Sequence, residues 1–358
     1  MSDKNTIELA EPAEPTDTSM TEDQRREGRH HIVDNIIVQY PRYTDILKEV
    51  DYMYRRAPSS REPLGLLLTG IMGAGKTTIT DAILATHPPH RLAGVMKRPV
   101  VRATVPSRAT DRSVASALLR SFGDPRWDKG ILVNQTSRLI DCFQKAETRL
   151  VIIDEVQHFM DQNSNRIVID AANWLKTLIK DEDIHIGCIL VGLRHEADLL
   201  LDAKGGQLGS FFGNKRTLGP LAWDDDGDPP RNEFYRFMVE LDRLLPFDGS
   251  TALVDPDIAY RCHIASAGML RPLMRLVRRA AHTAIAYGIP TVDRELLAEA
   301  FDLTDPGDRY AIPNPFDGQR PEAAPIPQES APSSGTTNRG GKRRGRPRKD
   351  TREVLATL

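Results

Sequence analysis

Residues 64–78 read LGLLLTGIMGAGKTT. The first six, 64–69, are an apolar run of strand length that stops at a glycine, the signature of a buried strand. The next eight, Gly70-Ile71-Met72-Gly73-Ala74-Gly75-Lys76-Thr77, are a complete G-x-x-x-x-G-K-[ST] placed between that strand and a helix expected over 76–85. The glycines permit backbone angles that aim successive N–H groups at a polyphosphate. The N-terminus of the helix adds favourable partial positive charge. Lys76 reaches the β/γ oxygens of ATP, the Thr77 hydroxyl ligates Mg²⁺, and Thr78 belongs to the same cradle. A chance glycine-rich turn would not bring strand, motif and helix in this order.

A second apolar strand ends in two acids. Residues 150–155 read LVIIDE, and Asp154 lies 78 residues after Lys76. An acid at the C-terminal end of a parallel strand faces the crevice where such sheets bind ligands. Asp154 is expected to hold the magnesium shell and Glu155 to polarise the attacking water. The competing reading is a surface acidic pair at a helix cap. The long interval between the motifs leaves room for an extra strand, which separates this chain from adenylate-kinase-like folds. The expected fold is therefore an α/β P-loop NTPase of the additional-strand type with a parallel sheet.

Working outward, short apolar runs alternate with helical spacing. Strands are expected at 64–69, 100–105, 150–153 and 184–191, with a weaker fifth near 215–221. Helices are expected over 113–121, 132–146 and 167–180. Before them, residues 30–56 show two short helices separated by Tyr40-Pro41-Arg42, because proline restricts its predecessor and cannot donate inside a helix. After the loop WDDDGDPPRN at 223–232, four helices follow without a strand: 232–245, 255–267, 271–287 and 293–301. The expected division is a disordered N-terminus over 1–28, an α/β nucleotide-binding domain with a helical cap over 29–222, a helical lid over 232–303 and a flexible tail over 304–358.

Two further positions bear on the chemistry. ATPases of this type place a polar residue at the end of the fourth strand to sense the γ-phosphate; here Ile189-Leu190-Val191-Gly192 leads to Leu193, then Arg194. Leu193 cannot hydrogen-bond through its side chain, and Arg194 is either a substitute or a solvated arginine. In the lid, Gly268-Met269-Leu270-Arg271 has the form of a G-x-x-R sensor. Arg271 could couple lid position to the nucleotide, or could be one of several solvated arginines on its helix.

Taken together, these segments resemble AAA+ ATPases, and specifically the TniB/TnsC-type regulators of DNA transposition, over about residues 30–303. The resemblance rests on Tyr40-Pro41-Arg42, the phosphate loop, His87-Pro88-Pro89, Val151-Ile152-Ile153-Asp154-Glu155, Val191-Gly192-Leu193-Arg194 and Gln207-Leu208 before Phe211-Phe212. It implies an ATP- and Mg²⁺-dependent homo-oligomer, a ring or filament, on double-stranded DNA. Its implied partners are a transposase, which it recruits or activates, and a target-selection protein. The chain departs from the family where Leu193 replaces a usual Thr, and where Phe211 replaces a usual Arg that serves as a finger across the subunit interface. Arg216 and Arg194 are the replacements at hand. Both gaps point to weak or partner-dependent hydrolysis. The alternatives are an initiator- or helicase-loader-like ATPase and a nucleotide-dependent scaffold with negligible hydrolysis.

The net charge of −2 hides an asymmetry: residues 339–352 hold eight Lys/Arg and one Asp, against 40 basic and 49 acidic residues elsewhere. Within that cluster, Lys342-Arg343-Arg344-Gly345-Arg346-Pro347-Arg348-Lys349 resembles an AT-hook. An extended Arg-Gly-Arg-Pro is narrow enough for the minor groove of A·T-rich DNA, where enhanced negative potential draws arginine. A generic basic tail that binds polyanions by counterion release is the plainer reading. No run of about 18 apolar residues occurs, which excludes a membrane helix. The acidic N-terminus lacks the apolar region of a secretory signal. Cys142, Cys188 and Cys262 lack metal-ligand spacing. A bacterial cytoplasmic, nucleoid-associated location is the expectation.

Overall fold

The computed structural model describes residues 21–107, 109–159, 165–206, 208–224, 232–304 and 312–322. Gln207 and the basic cluster Arg343–Lys349, both singled out above, lie outside the described residues. In chain order the elements are α1 (Glu22–Asn35), α2 (Pro41–Arg56), β1 (Leu64–Gly70), α3 (Lys76–Thr86), β2 (His90–Leu92), β3 (Val95–Lys97), β4 (Val100–Thr104), α4 (Asp111–Phe122) and α5 (Leu132–Ala146). Then come β5 (Leu150–Asp154), α6 (Asn165–Ile179), β6 (Gly187–Gly192), α7 (Arg194–Gly206), β7 (Asn214–Leu218), α8 (Glu233–Leu244), α9 (Pro256–Ser266), α10 (Leu270–Tyr287) and α11 (Arg294–Asp302).

Five strands form one parallel sheet in the order β4-β5-β6-β1-β7. Of the strands inside the long sequence interval, the one that joins this sheet, β4, sits at the outer edge. The strand that separates the phosphate strand β1 from the acidic strand β5 in space is β6, which comes later in the chain. Strand pleating sends alternate residues to opposite faces, and the two hydrophobic clusters obey it. Leu66, Leu68, Leu150, Ile152, Ile189 and Val191 join one cluster with α1–α3 and α8–α11. Leu67, Val151, Ile153, Cys188 and Leu190 join the other with α4–α7. A sheet covered on both faces explains why its strands read as continuous apolar runs rather than alternating ones.

The structure departs from the sequence expectations in several places. Residues 22–28, expected to be disordered, are helical because Thr21 and Gln24 cap α1 reciprocally: the Gln24 N–H donates to the Thr21 hydroxyl and the Thr21 N–H to the Gln24 side chain. The fourth strand starts at Gly187 rather than at 184; a Cβ there would lie 2.6 Å from Leu150 Cδ2. An unanticipated helix, α7, follows β6, and an unanticipated exposed hairpin joins β2 to β3.

A further departure concerns the stretch after α11, which composition marks as part of a flexible tail. Residues 312–322 are tied to the helices. Phe316 is buried, the Arg261 guanidinium donates to the Pro315 carbonyl at 2.6 Å, and Arg294 donates to the Phe316 and Gly318 carbonyls at 2.6 and 2.8 Å. Arg261 itself is 3 % exposed and paired with Asp257. Such a buried cation is tolerable because carbonyls and a carboxylate surround it. Among the described residues, no helix is long and apolar enough to cross a membrane.

Candidate functional site

β1 delivers the chain to the phosphate loop, and the loop's two positive-φ glycines, Gly73 (φ 83°) and Gly75 (φ 94°), turn it into α3. Non-glycine residues resist that left-handed region. The same two positions also face a close neighbour. A Cβ on Gly73 would lie 3.1 Å from Arg271 Cβ, and one on Gly75 would lie 3.2 Å from Leu270 Cδ1. The start of α10 rests on the loop, and the Arg271 N–H donates to the Gly73 carbonyl at 3.1 Å. Lys76 curls over the loop, its ammonium donating to the Gly70 and Ile71 carbonyls at 2.6 and 3.1 Å.

The acid pair ends β5. Asp154 is 8 % exposed and accepts the Glu155 N–H at 2.9 Å. Burial pushes its carboxyl above the ordinary carboxylate range, and the Glu155 charge adds to this. The Glu155 N–H, Arg102 and Lys76 pull the other way. Glu155 sits at φ 61°, an uncommon conformation for a non-glycine residue and a mark of functional sites. Its carboxylate accepts the side-chain amide of Gln157. A hydroxyl at Thr77 and a carboxylate at Asp154 are hard oxygen donors that suit Mg²⁺. Such a site uses one or two protein oxygens plus phosphate rather than an all-protein cage. No group of three or more His, Cys, Asp or Glu placed for a metal occurs among the described residues.

Phosphate loop, Glu155 and α10 meet in one cleft of about 1250 Å³, whereas Asp154 is not among the residues that line it. Met72, Gly73, Gly75, Lys76, Thr77, Thr78, Glu155 and Arg271 all line it. So do residues the sequence reasoning had not placed there. Ile36, Ile37, Val38, Tyr40 and Tyr43 give it an apolar wall together with Leu270 and Met274, and Gln157, Leu193, Arg275 and Arg278 are also among the lining residues. The run Ile36-Ile37-Val38 ahead of Tyr40-Pro41-Arg42 is the signal that could have found this wall. Arg278 also donates to the Ile36 carbonyl at 3.4 Å, which joins α10 to that segment. An apolar wall beside a phosphate cradle suits a heteroaromatic base attached to a polyphosphate.

Arg194 and Arg216, the arginines considered for the finger, are not among the residues lining the cleft. Arg194 is exposed at the start of α7. Arg216 lies on β7 with its guanidinium 3.9 Å from Glu49.

Comparison with known proteins gives a consistent picture. The family model described as "Bacterial TniB protein" matches residues 29–208. No curated protein matches the chain. Among solved structures, the chain is similar to the Aeropyrum pernix ORC2 protein in ADPNP–ADP complexes, with 19 % identity and a TM-score of 0.53 over 76 % of this chain and 71 % of that one. It is also similar to Cdc6p from Pyrobaculum aerophilum, with 13 % identity and a TM-score of 0.53 over 75 % and 69 %. A third is the Aeropyrum pernix ORC1 protein in complex with DNA, with 17 % identity and a TM-score of 0.51 over 76 % and 68 %. At these identities the likeness is one of fold: a P-loop AAA+ architecture.

Proposed function

The chain belongs to the bacterial TniB family, and from that premise we propose that it is an AAA+ regulator of DNA transposition that binds and hydrolyses ATP, assembles on double-stranded DNA and recruits or activates a transposase at the target. The observation that carries this reading is the convergence of Lys76, Thr77, Glu155 and Arg271 on one cleft walled by Ile36–Tyr43. The loop amides and Lys76 would hold the polyphosphate, and Thr77 with Asp154 would hold Mg²⁺, which supplies charge neutralisation on the phosphates. Glu155 would orient the attacking water. Arg271, on the helix that touches Gly73, would carry the nucleotide state into the C-terminal helices, the proposed lid over 232–303. The ORC1 neighbour in complex with DNA has the same fold, which is compatible with a DNA role here. An arginine from a neighbouring copy, Arg194 or Arg216, would complete the site, so that oligomerisation and turnover are linked.

A titration of full-length protein with fluorescently labelled ATP and Mg²⁺ tests the reading. Wild-type protein should bind saturably, and Lys76→Ala should weaken binding at least about tenfold, the scale of a lost charge-assisted contact of about 1.5–3 kcal/mol. Absence of saturable binding by the wild type contradicts the proposal. A second reading, a nucleotide-dependent scaffold with negligible hydrolysis, is favoured by one specific observation: Leu193, an apolar side chain, stands in the cleft where a polar γ-phosphate sensor is expected. Phosphate release measured with and without duplex DNA separates the two.

A further inference from the structure

The apolar Leu193 raises the question of which polar group occupies that end of the cleft, and the residue at hand is Gln157. Directly after Glu155 the chain makes a tight turn over Val156–Phe159. Val156 and Phe159 are both fully buried, and His158 is hydrogen-bonded to the Val105 carbonyl at 2.7 Å. The turn is therefore pinned on both sides of Gln157, whose side chain is held by a fixed backbone. Its amide uses both ends: the N–H₂ donates to the Glu155 carboxylate, and the carbonyl accepts the backbone N–H of Leu193 at 3.4 Å. One side chain thus joins the acid at the end of β5 to the backbone at the end of β6.

The packing around it is built for this bridge. A Cβ on Gly192 would lie 2.9 Å from Gln157 Oε1 and 2.7 Å from Val156 Cγ2. Any larger residue at 192 would push the amide away. Gln157 also lines the cleft beside Glu155 and Leu193. Glu155 sits in the left-handed region at φ 61°, a backbone conformation that persists only where the surrounding structure holds it.

We propose that Gln157 is a positioning residue: it fixes the Glu155 carboxylate and couples it to the β6 end of the cleft, the task a polar side chain at 193 would otherwise perform. This rests on reading the cleft as a site of ATP hydrolysis. The step it serves is attack of water on the γ-phosphorus, in which the new P–O bond forms, the bond to the β–γ bridging oxygen breaks, the water's proton passes to an acceptor and ADP leaves. Gln157 makes and breaks no bond; it holds Glu155 where the water must be oriented.

The test uses full-length protein, steady-state phosphate release with Mg²⁺ and ATP, and titration with labelled ATP. Gln157→Met keeps the length and removes the amide. It should lower kcat about 10- to 100-fold, the scale of a small misplacement of a catalytic group. KM and the affinity for labelled ATP should stay within about threefold, as expected when only transition-state support is lost. Introducing Leu193→Asn into the Gln157→Met background should recover at least about fivefold in kcat, because an amide returns to the same corner; a side chain with a purely structural part would show no such rescue. If Gln157→Met does not fold, Gln157→Glu removes the donor at constant shape and should give the same split between kcat and affinity. Unchanged kcat, or a loss of kcat without rescue from position 193, overturns the inference. Should the wild type bind no ATP or release no phosphate, the ATPase reading itself fails, and that outcome is visible before any variant is made.

Discussion

Asp154 illustrates what a single site residue costs the fold. Its carboxyl is buried at the end of β5, and burial is the largest influence that raises its pKa above the ordinary range. A carboxyl with a raised folded pKa binds its proton more tightly in the folded chain than in the unfolded one. The stability it contributes is then fully present below the ordinary carboxylate range and is lost as pH rises through the folded value. At neutral pH the ionised group opposes folding, and its retention reflects function rather than stability. Asp154→Asn should therefore raise the nucleotide-free melting midpoint at pH 7 by about 1 °C, the shift that roughly 0.6 kcal/mol gives in a chain of this size. The gap should narrow as the pH is lowered towards about 4. The same variant should lose the Mg²⁺-dependent gain in ATP affinity. Thermal melts across pH check the first part, and a destabilised Asp154→Asn at pH 7 contradicts it. Gly70 to Thr78 and the pair Asp154-Glu155 were legible as residues because their chemistry is fixed by spacing within one segment. Gln157 and the wall Ile36–Tyr43 were not, because each acquires a part to play only when another element, β6 or α10, is brought beside it.

At the scale of elements, the decisive contact is between the phosphate loop and α10, and two glycines isolate its worth. Gly73 and Gly123 have nearly the same φ, 83° and 80°. A Cβ on Gly123 would meet nothing within 4 Å, whereas one on Gly73 would press on Arg271 at 3.1 Å. Gly123→Ala should thus cost about 1–2 kcal/mol for the left-handed backbone alone. Gly73→Ala should cost about 1 kcal/mol or more beyond that for overpacking against α10. Equal destabilisation of the two variants in nucleotide-free denaturant melts would show that α10 does not rest on the loop in solution. The buried strands and amphipathic helices were readable because apolar runs and 3.6-residue spacing survive without tertiary information. What escaped was short, exposed or anchored from afar. The residues of β2 are exposed and those of β3 nearly so, which leaves no burial pattern to read. The segment 312–322 has the composition of a linker, yet Arg261 and Arg294 hold its carbonyls.

For the whole molecule, charge is distributed as unevenly as structure. Residues 339–352 carry a surplus of seven positive charges, while the remainder of the chain carries a deficit of nine. A body with that balance repels a polyanion at long range, and a basic segment reverses the sign locally. If this segment contacts DNA phosphates, each contact releases condensed counterions and adds about 0.9 to the slope of log affinity against log salt. Removal of residues 339–350 takes away seven Lys/Arg. It should lower affinity for duplex DNA several-fold at about 0.1 M salt and flatten the salt slope by about 3 to 6. ATP affinity should be untouched, since every described residue that lines the cleft precedes 305. Preference for A·T-rich over G·C-rich duplex should fall with the deletion if Arg344-Gly345-Arg346-Pro347 reads the narrow minor groove. It should be unchanged if the cluster is only a counterion-releasing tail. Fluorescence anisotropy with the two duplexes over a salt series distinguishes these cases, and a salt slope identical to that of the full chain would exclude the segment as a DNA contact altogether.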